Sequence, residues 1–445
     1  MKRFLLNKLI AWKENPDRKP LILQGARQVG KTTLLKQFGS DHFPAMHMLN
    51  FEKDLGLATH FEKNITPKFL LRELEYYLKT PIDRNRDLLI FDEVQACPRA
   101  LTSLKYFQEE MPELALCAAG SLLGIYLGPV SFPVGKVDMM TLYPMTFEEF
   151  LLAAGEKQLL ELIQNIVLQD TIPAAAHERL FEQLKHYFIT GGLPEVVKTY
   201  CDQRESYLTA FTKVRQKQNT LLETYLADIA KHSGKVNAMH IARVLQSIPA
   251  KLDRSEDGSA SKYTFKEVIP GIDRYSRLAS AIDWLEAARL IIRTPIVNSG
   301  NIPFSSHVQE NMFKLYLFDV GLLGAMSNLS PQTILQYDYG SYKGYFAENF
   351  VAQALLTTSI GKLYSWQENL AQVEFLYDQE GQAIPIEVKS GWVTHSKSAS
   401  IFAKKYRSPY RVIFSAKPLA ANQALHSYPL YLAEQFPLAM RNLEV

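Results

Sequence analysis

The sequence predicts an α/β protein that begins with a mostly parallel sheet. Short apolar runs alternate with helical patterns over the first 150 residues, which is typical of parallel strands joined by helices. From about Thr146 to Ile248 the pattern changes to long amphipathic helices, with a break at Thr190–Pro194. Beyond Asn328 follow a helix around Phe346–Leu356 and strand-like runs at Gln372–Tyr377 and Ile384–Lys389. We therefore predict three domains, at residues 1–150, 151–330 and 331–445.

Length and composition are those of a multidomain globular protein. The chain has 445 residues, 47% of them hydrophobic, and its 49 basic and 46 acidic residues give a net charge of +3. This balance excludes a highly basic coat protein for nucleic acid, although it leaves room for a local basic patch. The three cysteines show no spacing of a metal or redox site, which favours a reducing compartment. The uncharged stretch Leu114–Gly135 is interrupted by glycines and prolines, so we expect no membrane span and a cytoplasmic protein.

Five apolar runs are the predicted strands of the first domain. They are Pro20–Gln24, Met46–Phe51, Asp87–Phe91, Leu114–Ala119 and Met139–Tyr143. Each is short and rich in residues that suit a sheet buried on both faces.

Residues 25–32, with the sequence GARQVGKT, fit the phosphate-loop pattern of Gly, four residues, Gly, Lys and Ser or Thr. A predicted strand precedes them, and the predicted helix Thr32–Phe38 follows. Glycines let successive N–H groups face the phosphates, and the helix directs its positive end at them. Lys31 would contact the β- and γ-phosphates, and Thr32 would bind Mg²⁺. The predicted nucleotide contacts are Gly25, Ala26, Arg27, Gln28, Val29, Gly30, Lys31, Thr32 and Thr33.

Polar residues end the third and fourth predicted strands. Asp92 would hold Mg²⁺ and Glu93 would polarise the attacking water, although a strand that ends in solvated acids would look the same. Ser121 would sense the γ-phosphate or orient that water, but a serine at the start of a loop is common and remains the alternative. The chain has no guanine-recognition motif, Asn-Lys-x-Asp, so we expect ATP as the nucleotide.

Several stretches together resemble a large bacterial and archaeal family of AAA-type ATPases. The resemblance covers most of the chain and implies Mg²⁺-dependent ATP hydrolysis, with the magnesium strand not adjacent to the phosphate-loop strand. It also implies a C-terminal restriction-endonuclease-like domain, and a homo-oligomer with the nucleotide at the subunit boundary. The stretches are residues 25–38 (GARQVGKTTLLKQF), 50–52 (NFE), 88–98 (LLIFDEVQACP), 120–124 (GSLLG), 134–151 (VGKVDMMTLYPMTFEEFL) and 187–195 (YFITGGLPE).

One departure from the family concerns a basic residue. Lys136 stands where the family usually has an arginine, so we count it among the candidate catalytic residues. If the arginine contacts phosphate in a neighbouring subunit, lysine keeps the charge but loses the bidentate fork. Arg27 and Arg99 are other candidates for that contact, with a solvated surface position as the alternative.

The middle region is predicted to contain a winged helix. Arg274, Tyr275 and Arg277 would begin its second helix, the position that enters the major groove in helix-turn-helix proteins. The alternative is an ordinary packing module, because the same helix carries an apolar core stripe. A polar loop is predicted at Asp253–Ser261. The predicted elements are the helices Val236–Ser247 and Asp273–Arg289 and the strands Leu290–Val297 and Phe313–Phe318.

The C-terminal third resembles the core of the restriction-endonuclease-like nuclease fold. The resemblance implies a site in which carboxylates hold Mg²⁺ and a lysine orients the attacking water. The site residues would be Glu348 on a helix, Glu374 at the end of one strand, and Glu387 and Lys389 on the next strand. Glu374 stands where the family usually has aspartate, so we expect nucleic-acid binding without cleavage. The matching stretches are residues 343–356 (KGYFAENFVAQALL), 363–367 (LYSWQ), 372–376 (QVEFL) and 384–391 (IPIEVKSG).

A basic segment accompanies this predicted site. Ala383–Pro418 contains seven lysines and arginines and a single acid, and Trp392, Tyr406 and Tyr410 lie among them. Such a mixture suits a DNA or RNA backbone, and a solvated helix face is the equal alternative. The predicted function is therefore an ATPase that acts on nucleic acid. The alternative is a nucleotide-gated switch that binds a protein partner and has an inactive nuclease-like domain.

Overall fold

The fold is described from a computed structural model, which covers residues 1–121, 132–203, 206–233, 235–252, 261–336, 344–358, 360–392 and 397–440. The chain forms two compact units. Unit 1 comprises Met1–Tyr143 with Ala287–Arg289, and unit 2 comprises Pro144–Glu286 with Leu290–Val445. In the described ranges no helix combines the length and apolar character that crossing a bilayer requires. Nearly all of the loop predicted at 253–261, and residues 122–131 of the uncharged stretch, lie outside the described residues.

Unit 1 contains a parallel sheet whose strand order is β2-β3-β4-β1-β5. The five predicted strands are confirmed, each to within two residues at either end. The strands are β1 (Leu21–Gln24), β2 (Met46–Asn50), β3 (Leu88–Asp92), β4 (Ala115–Gly120) and β5 (Asp138–Thr141). The helices are α1 (Leu5–Glu14), α2 (Lys31–His42), α3 (Leu57–Lys63), α4 (Pro67–Leu78) and α5 (Pro98–Glu110).

The strand order places the polar strand ends side by side. β4 lies between β1 and β3, so the separation implied by the resemblance is confirmed. β3 and β4 are buried along their whole length, which explains why both are continuous apolar runs. Because all five strands are parallel, their carboxyl ends meet at one edge of the sheet, where the phosphate loop also lies.

Unit 2 begins with helices. The predicted break near residue 190 is confirmed: α8 ends at Thr190 and α9 begins at Pro194. Glu434, in a 3-10 helix at Leu430–Gln435, accepts hydrogen bonds from the N–H groups of Phe147 and Glu148 at the start of α6. The helices are α6 (Phe147–Ala153), α7 (Lys157–Gln164), α8 (Ala174–Thr190), α9 (Pro194–Cys201), α10 (Tyr207–His232), α11 (Lys235–Leu252), α12 (Tyr275–Ala287), α13 (Val320–Met326), α14 (Pro331–Gln336), α15 (Gly344–Leu355) and α16 (Lys397–Tyr406).

Two further sheets complete unit 2, in the orders β7-β6-β8-β9 and β10-β11-β12-β14-β13. The antiparallel pair β6–β7 follows α11 and α12, as the predicted winged helix requires, but the winged helix itself stays a prediction. The strands are β6 (Ile291–Val297), β7 (Val308–Leu317), β8 (Ser365–Glu368), β9 (Ala371–Val373), β10 (Phe375–Gln379), β11 (Gln382–Val388), β12 (Arg411–Ser415), β13 (Ala420–Ala421) and β14 (Leu425–Pro429).

One strand prediction is wrong. The run Gln372–Tyr377 is not a single strand, because β9 ends at Val373, β10 begins at Phe375, and the two belong to different sheets. Glu374 lies at the break, where its carbonyl oxygen accepts a hydrogen bond from the Ser365 hydroxyl at 2.6 Å. The chain therefore changes sheets at the residue whose carboxylate was expected at a strand end.

Candidate functional site

The phosphate loop joins β1 to α2 in a conformation that depends on its glycines. A Cβ atom at Gly25 would clash with the carbonyl oxygen of Leu142, so a side chain there would push the loop away from the sheet. Gly30 has a φ of +97°, a left-handed conformation that most other residues adopt only with strain. The phosphate loop therefore requires glycine at Gly25 because of limited space and at Gly30 because of its φ angle.

Arg3 supports the same loop from the start of the chain. Its buried guanidinium donates to the carbonyl oxygen of Val29 at 2.7 Å and to that of Tyr143 at 2.6 Å. No pattern in the sequence indicates this role, because Arg3 lies 26 residues from Val29.

Lys31 is held by the loop itself. Its Nζ atom donates to the carbonyl oxygens of Gly25 and Ala26, both at 2.9 Å. Burial lowers the pKa of Lys31 to about 8, although the carboxylates of Glu93 and Asp92 act in the opposite direction. These two carbonyl oxygens occupy two of the three N–H donors with which the Lys31 ammonium group would contact phosphate.

Three polar side chains meet at the end of β3. The Thr32 hydroxyl lies 3.0 and 3.1 Å from the two carboxylate oxygens of Asp92, and Asn50 Nδ2 donates to Asp92 Oδ2 at 2.8 Å. Asn50 is the register partner of Asp92 on β2, which explains why it reaches this carboxylate. Hydroxyl and carboxylate oxygens are ligands that Mg²⁺ prefers, so Thr32 and Asp92 fit this ion. Sequence reasoning assigned Asn50 no role, although its place at the end of a neighbouring strand was a usable signal.

Glu93 follows Asp92 in a left-handed conformation, with a φ of +51°. Its Oε2 atom accepts a hydrogen bond from Gln95 Nε2 at 2.6 Å. The side chain is partly buried, and its carboxylate is therefore oriented by a residue only two positions along the chain. Gln95 was not singled out from the sequence; it lies in a 3-10 helix at Val94–Ala96.

Ser121 and Arg27 extend the cluster. Ser121 is buried at the end of β4, and its Oγ atom accepts a hydrogen bond from Arg27 Nε at 3.3 Å. Arg27 also pairs with Glu52, at 3.6 Å. The structure thus brings Ser121 beside a residue of the phosphate loop.

The other basic candidates have structural contacts elsewhere in unit 1. Lys136 forms an ion pair with Glu109 of α5 at 3.1 Å, and Arg99 donates to the carbonyl oxygen of Phe61 at 2.6 Å. Within the residues that the structure describes, no hydrogen bond or ion pair joins Lys136 to the phosphate loop. Its action on a neighbouring subunit, and self-association itself, stay predictions.

Glu348, Glu374 and Glu387 form a second candidate site, called here the C-terminal acidic site. Glu348 is fully buried on α15, where its Oε2 atom lies 3.2 Å from Lys314 Nζ and accepts a hydrogen bond from the Tyr316 hydroxyl at 3.0 Å. Lys314 and Tyr316 are both on β7. Neither was predicted to belong to this site.

The other two carboxylates of the C-terminal acidic site are only partly satisfied. Glu387 Oε1 accepts a hydrogen bond from the Ala399 N–H at 3.1 Å, and its Oε2 lies 3.8 Å from Lys389 Nζ. Burial, followed by the nearby charge of Glu348, raises the pKa of Glu374 well above its usual range. Across the described part of the chain, no three His, Cys, Asp or Glu residues are arranged to hold a metal ion. The ammonium group of buried Lys314 already lies 3.2 Å from an oxygen of Glu348, so the residues of the C-terminal acidic site do not fit the predicted Mg²⁺.

The aromatic residues of the basic segment differ in their surroundings. Tyr406 packs against Trp366 and Phe402, and Tyr410 stacks on His426 with the ring centres 4.0 Å apart. Trp392, in contrast, is 52% exposed. Two of the three rings thus contribute to packing rather than to an open stacking surface.

The predicted winged-helix contacts are similarly divided. Tyr275 packs against Phe265 and Phe313, and its hydroxyl accepts a hydrogen bond from Arg293 at 3.0 Å. Arg274 and Arg277, beside it at the start of α12, are exposed. The two arginines are therefore the more exposed residues of the predicted contact set.

Residues 17–151 match a family model described as an AAA domain. This part of the chain is similar to AAA domains. The phosphate loop, Asp92 and Glu93 all lie inside the matched residues, so the match supports the expected AAA-type P-loop fold. Residues 181–333 and 343–432 match two domains of unknown function, DUF8612 and DUF4143. Comparison with curated proteins gives no match.

Several solved structures show distant similarity to the chain. The Walker-type ATPase of Pyrococcus abyssi is 15% identical, with 72% of this chain and 94% of that chain covered and a TM-score of 0.45. AMPPCP-bound DnaA from Aquifex aeolicus is 16% identical, with 63% and 86% covered and a TM-score of 0.29. RuvB from Thermotoga maritima is 16% identical, with 65% and 89% covered and a TM-score of 0.33.

Proposed function

We propose that the AAA domain binds ATP with Mg²⁺ and hydrolyses it. The contact between the Thr32 hydroxyl and the Asp92 carboxylate carries this proposal, because it brings two magnesium ligands from separate elements to the end of the phosphate loop. Bound Mg²⁺ would neutralise phosphate charge. Lys31 would exchange the carbonyl oxygens of its own loop for phosphate oxygens.

Glu93 would then act on the attacking water. Its carboxylate follows Asp92 directly and is oriented by Gln95, so it would accept a hydrogen bond from water at the same edge of the sheet. Ser121, which Arg27 contacts, would orient that water or the γ-phosphate. Glu93 and Ser121 are each positioned by a hydrogen bond within unit 1, from Gln95 and from Arg27 respectively.

We expect ATP hydrolysis to require Mg²⁺ and to weaken when Thr32 is changed to alanine. The Thr32→Ala variant loses one oxygen ligand, so the Mg²⁺ concentration for half-maximal hydrolysis should rise by about tenfold or more. Phosphate release measured over a Mg²⁺ titration, with EDTA as the blank, tests this. Thr59→Ala removes an exposed hydroxyl on α3 and should behave like the unaltered protein. Hydrolysis that continues in EDTA would contradict the proposal.

We further propose that unit 2 contacts nucleic acid through α16. Lys397, Ile401 and Lys404 are spaced to share one face of this helix, Ile401 is 52% exposed, and both lysines are exposed. A basic face with an exposed apolar residue suits a phosphate backbone whose bases are partly accessible. The restriction-endonuclease-like fold of this region is part of the same proposal.

Lys397→Gln combined with Lys404→Gln should weaken binding of a labelled single-stranded oligonucleotide. If each lysine neutralises one phosphate, the slope of log K against log salt should fall by roughly 1.4, because fewer counterions are released. Fluorescence anisotropy at several salt concentrations measures both quantities. Lys198→Gln combined with Lys213→Gln removes the same charge from α9 and α10 and serves as the control. If the unaltered protein shows no salt-sensitive binding, a nucleotide-gated switch for a protein partner becomes the better proposal.

A further inference from the structure

A buried ammonium group lies within the C-terminal acidic site. Lys314 is fully buried on β7, and its Nζ atom is 3.2 Å from an oxygen of Glu348, which is equally buried. The Tyr316 hydroxyl donates to the same oxygen at 3.0 Å. This carboxylate oxygen therefore already has one cationic and one neutral partner, both supplied by the strand that faces it.

The remaining carboxylates leave two buried oxygen atoms without hydrogen-bond partners in the described part of the chain. They are Oε2 of Glu374 and Oε2 of Glu387, and both residues are at least 96% buried. A second cation lies nearby, because Lys389 Nζ is 3.8 Å from Glu387 Oε2. Together these three carboxylates and two ammonium groups carry a formal charge of −1, too little to attract a divalent ion strongly out of water.

The position of Lys314 also opposes a metal ion directly. Mg²⁺ binds carboxylate oxygens at about 2.1 Å. An ion bound to Oε2 of Glu348 would therefore lie close to the Lys314 ammonium group, which cannot reach water. Two cations on one oxygen of a buried carboxylate repel each other strongly.

We propose that Lys314 is the permanent cation of the C-terminal acidic site and keeps divalent metal ions out of it. The ammonium group supplies the positive charge that buried Glu348 requires, so this part of unit 2 folds without a metal. The inference concerns residues of unit 2 alone and does not depend on ATP hydrolysis in unit 1.

The proposal predicts that removing Lys314 opens the site to a metal ion. Lys314→Met keeps most of the side-chain volume but leaves Glu348 buried without a counter-charge, so the variant should unfold at a lower temperature than the unaltered protein. Mn²⁺ should then take the place of the ammonium group. We expect the full-length, nucleotide-free variant to bind one more Mn²⁺ per chain than the unaltered protein, counted by electron paramagnetic resonance. Mn²⁺ should also raise the unfolding temperature of the variant by several degrees.

Two further variants make this result specific. Lys314→Met combined with Glu348→Gln removes both charges, so it should recover stability without metal and lose the response to Mn²⁺. Glu387→Gln keeps an oxygen that can accept from the Ala399 N–H, so it should fold and leave Mn²⁺ binding of the otherwise unaltered protein unchanged. That last comparison tests the proposal even if Lys314→Met does not fold.

Two results would overturn the proposal. One is a Mn²⁺ ion bound by the unaltered protein and lost in Glu387→Gln, because the site would then hold metal in the presence of Lys314. The other is a folded Lys314→Met protein that gains no Mn²⁺. ATP hydrolysis in the same samples reports on unit 1 separately, so failure of this proposal and failure of the proposed function are distinguishable.

Discussion

Glu93→Gln is expected to lower kcat for ATP hydrolysis by about a hundredfold or more while ATP still binds. The amide keeps the size of the side chain and can accept one hydrogen bond, but it cannot polarise water as a carboxylate does. Steady-state phosphate release gives kcat, and titration with a fluorescent ATP analogue gives Kd, which should change by less than about threefold.

The matched control for Glu93→Gln is Glu62→Gln, which makes the same chemical change at an exposed position on α3. It should hydrolyse ATP at the unaltered rate. Gln95→Ala separates orientation from chemistry, because it leaves the Glu93 carboxylate in place without its hydrogen bond. We expect a smaller loss of kcat there than in Glu93→Gln. Unchanged hydrolysis in Glu93→Gln would remove Glu93 from the proposed role.

Lys31→Met is expected to raise the Kd for ATP by about a hundredfold or more, since it removes the cation that would contact the β- and γ-phosphates. Because the pKa of Lys31 is about 8, ATP binding by the unaltered protein should also depend on pH. Phosphate favours the charged form of Lys31 and would raise this pKa, so binding should take up a proton between about pH 8 and pH 10. ATP affinity should therefore fall as the pH rises above 8.

Calorimetry at pH 8.5 in two buffers of different ionisation enthalpy measures this proton uptake. The unaltered protein should take up a fraction of one proton per ATP bound, and Lys36→Met, which changes an exposed lysine of α2, should do the same. Binding without proton uptake at pH 8.5 would show that Lys31 is already charged in the free protein.

The nucleotide site was predictable because each of its sequence motifs is a short contiguous segment. The phosphate loop lies between β1 and α2, and Asp92 with Glu93 ends an apolar strand, so each feature is visible within about ten residues. The contact between Thr32 and Asp92 depends on the strand order, which the family resemblance supplied and the sheet confirms.

The C-terminal acidic site was less predictable because tertiary packing determines it. Lys314 lies 34 residues from Glu348, and a single lysine on a strand is more commonly solvent-facing than buried. Glu374 lies where one apolar run divides between two sheets, a change that alternation along the chain does not reveal. Arg3 and Gln95 were missed for a related reason: each acts through hydrogen bonds that leave no pattern in the sequence.

The capping of α6 by Glu434 determines when unit 2 can be completed during synthesis. Phe147 leaves the ribosome 287 residues before Glu434 does, so the N–H groups of Phe147 and Glu148 lack this carboxylate acceptor until the last part of the protein is made. Residues 1–143 are available to fold much earlier, because every strand of their sheet precedes residue 142. The nascent chain should therefore carry a folded unit 1 while the rest of the protein is still unfolded, and unit 2 should be the part that depends most on chaperones.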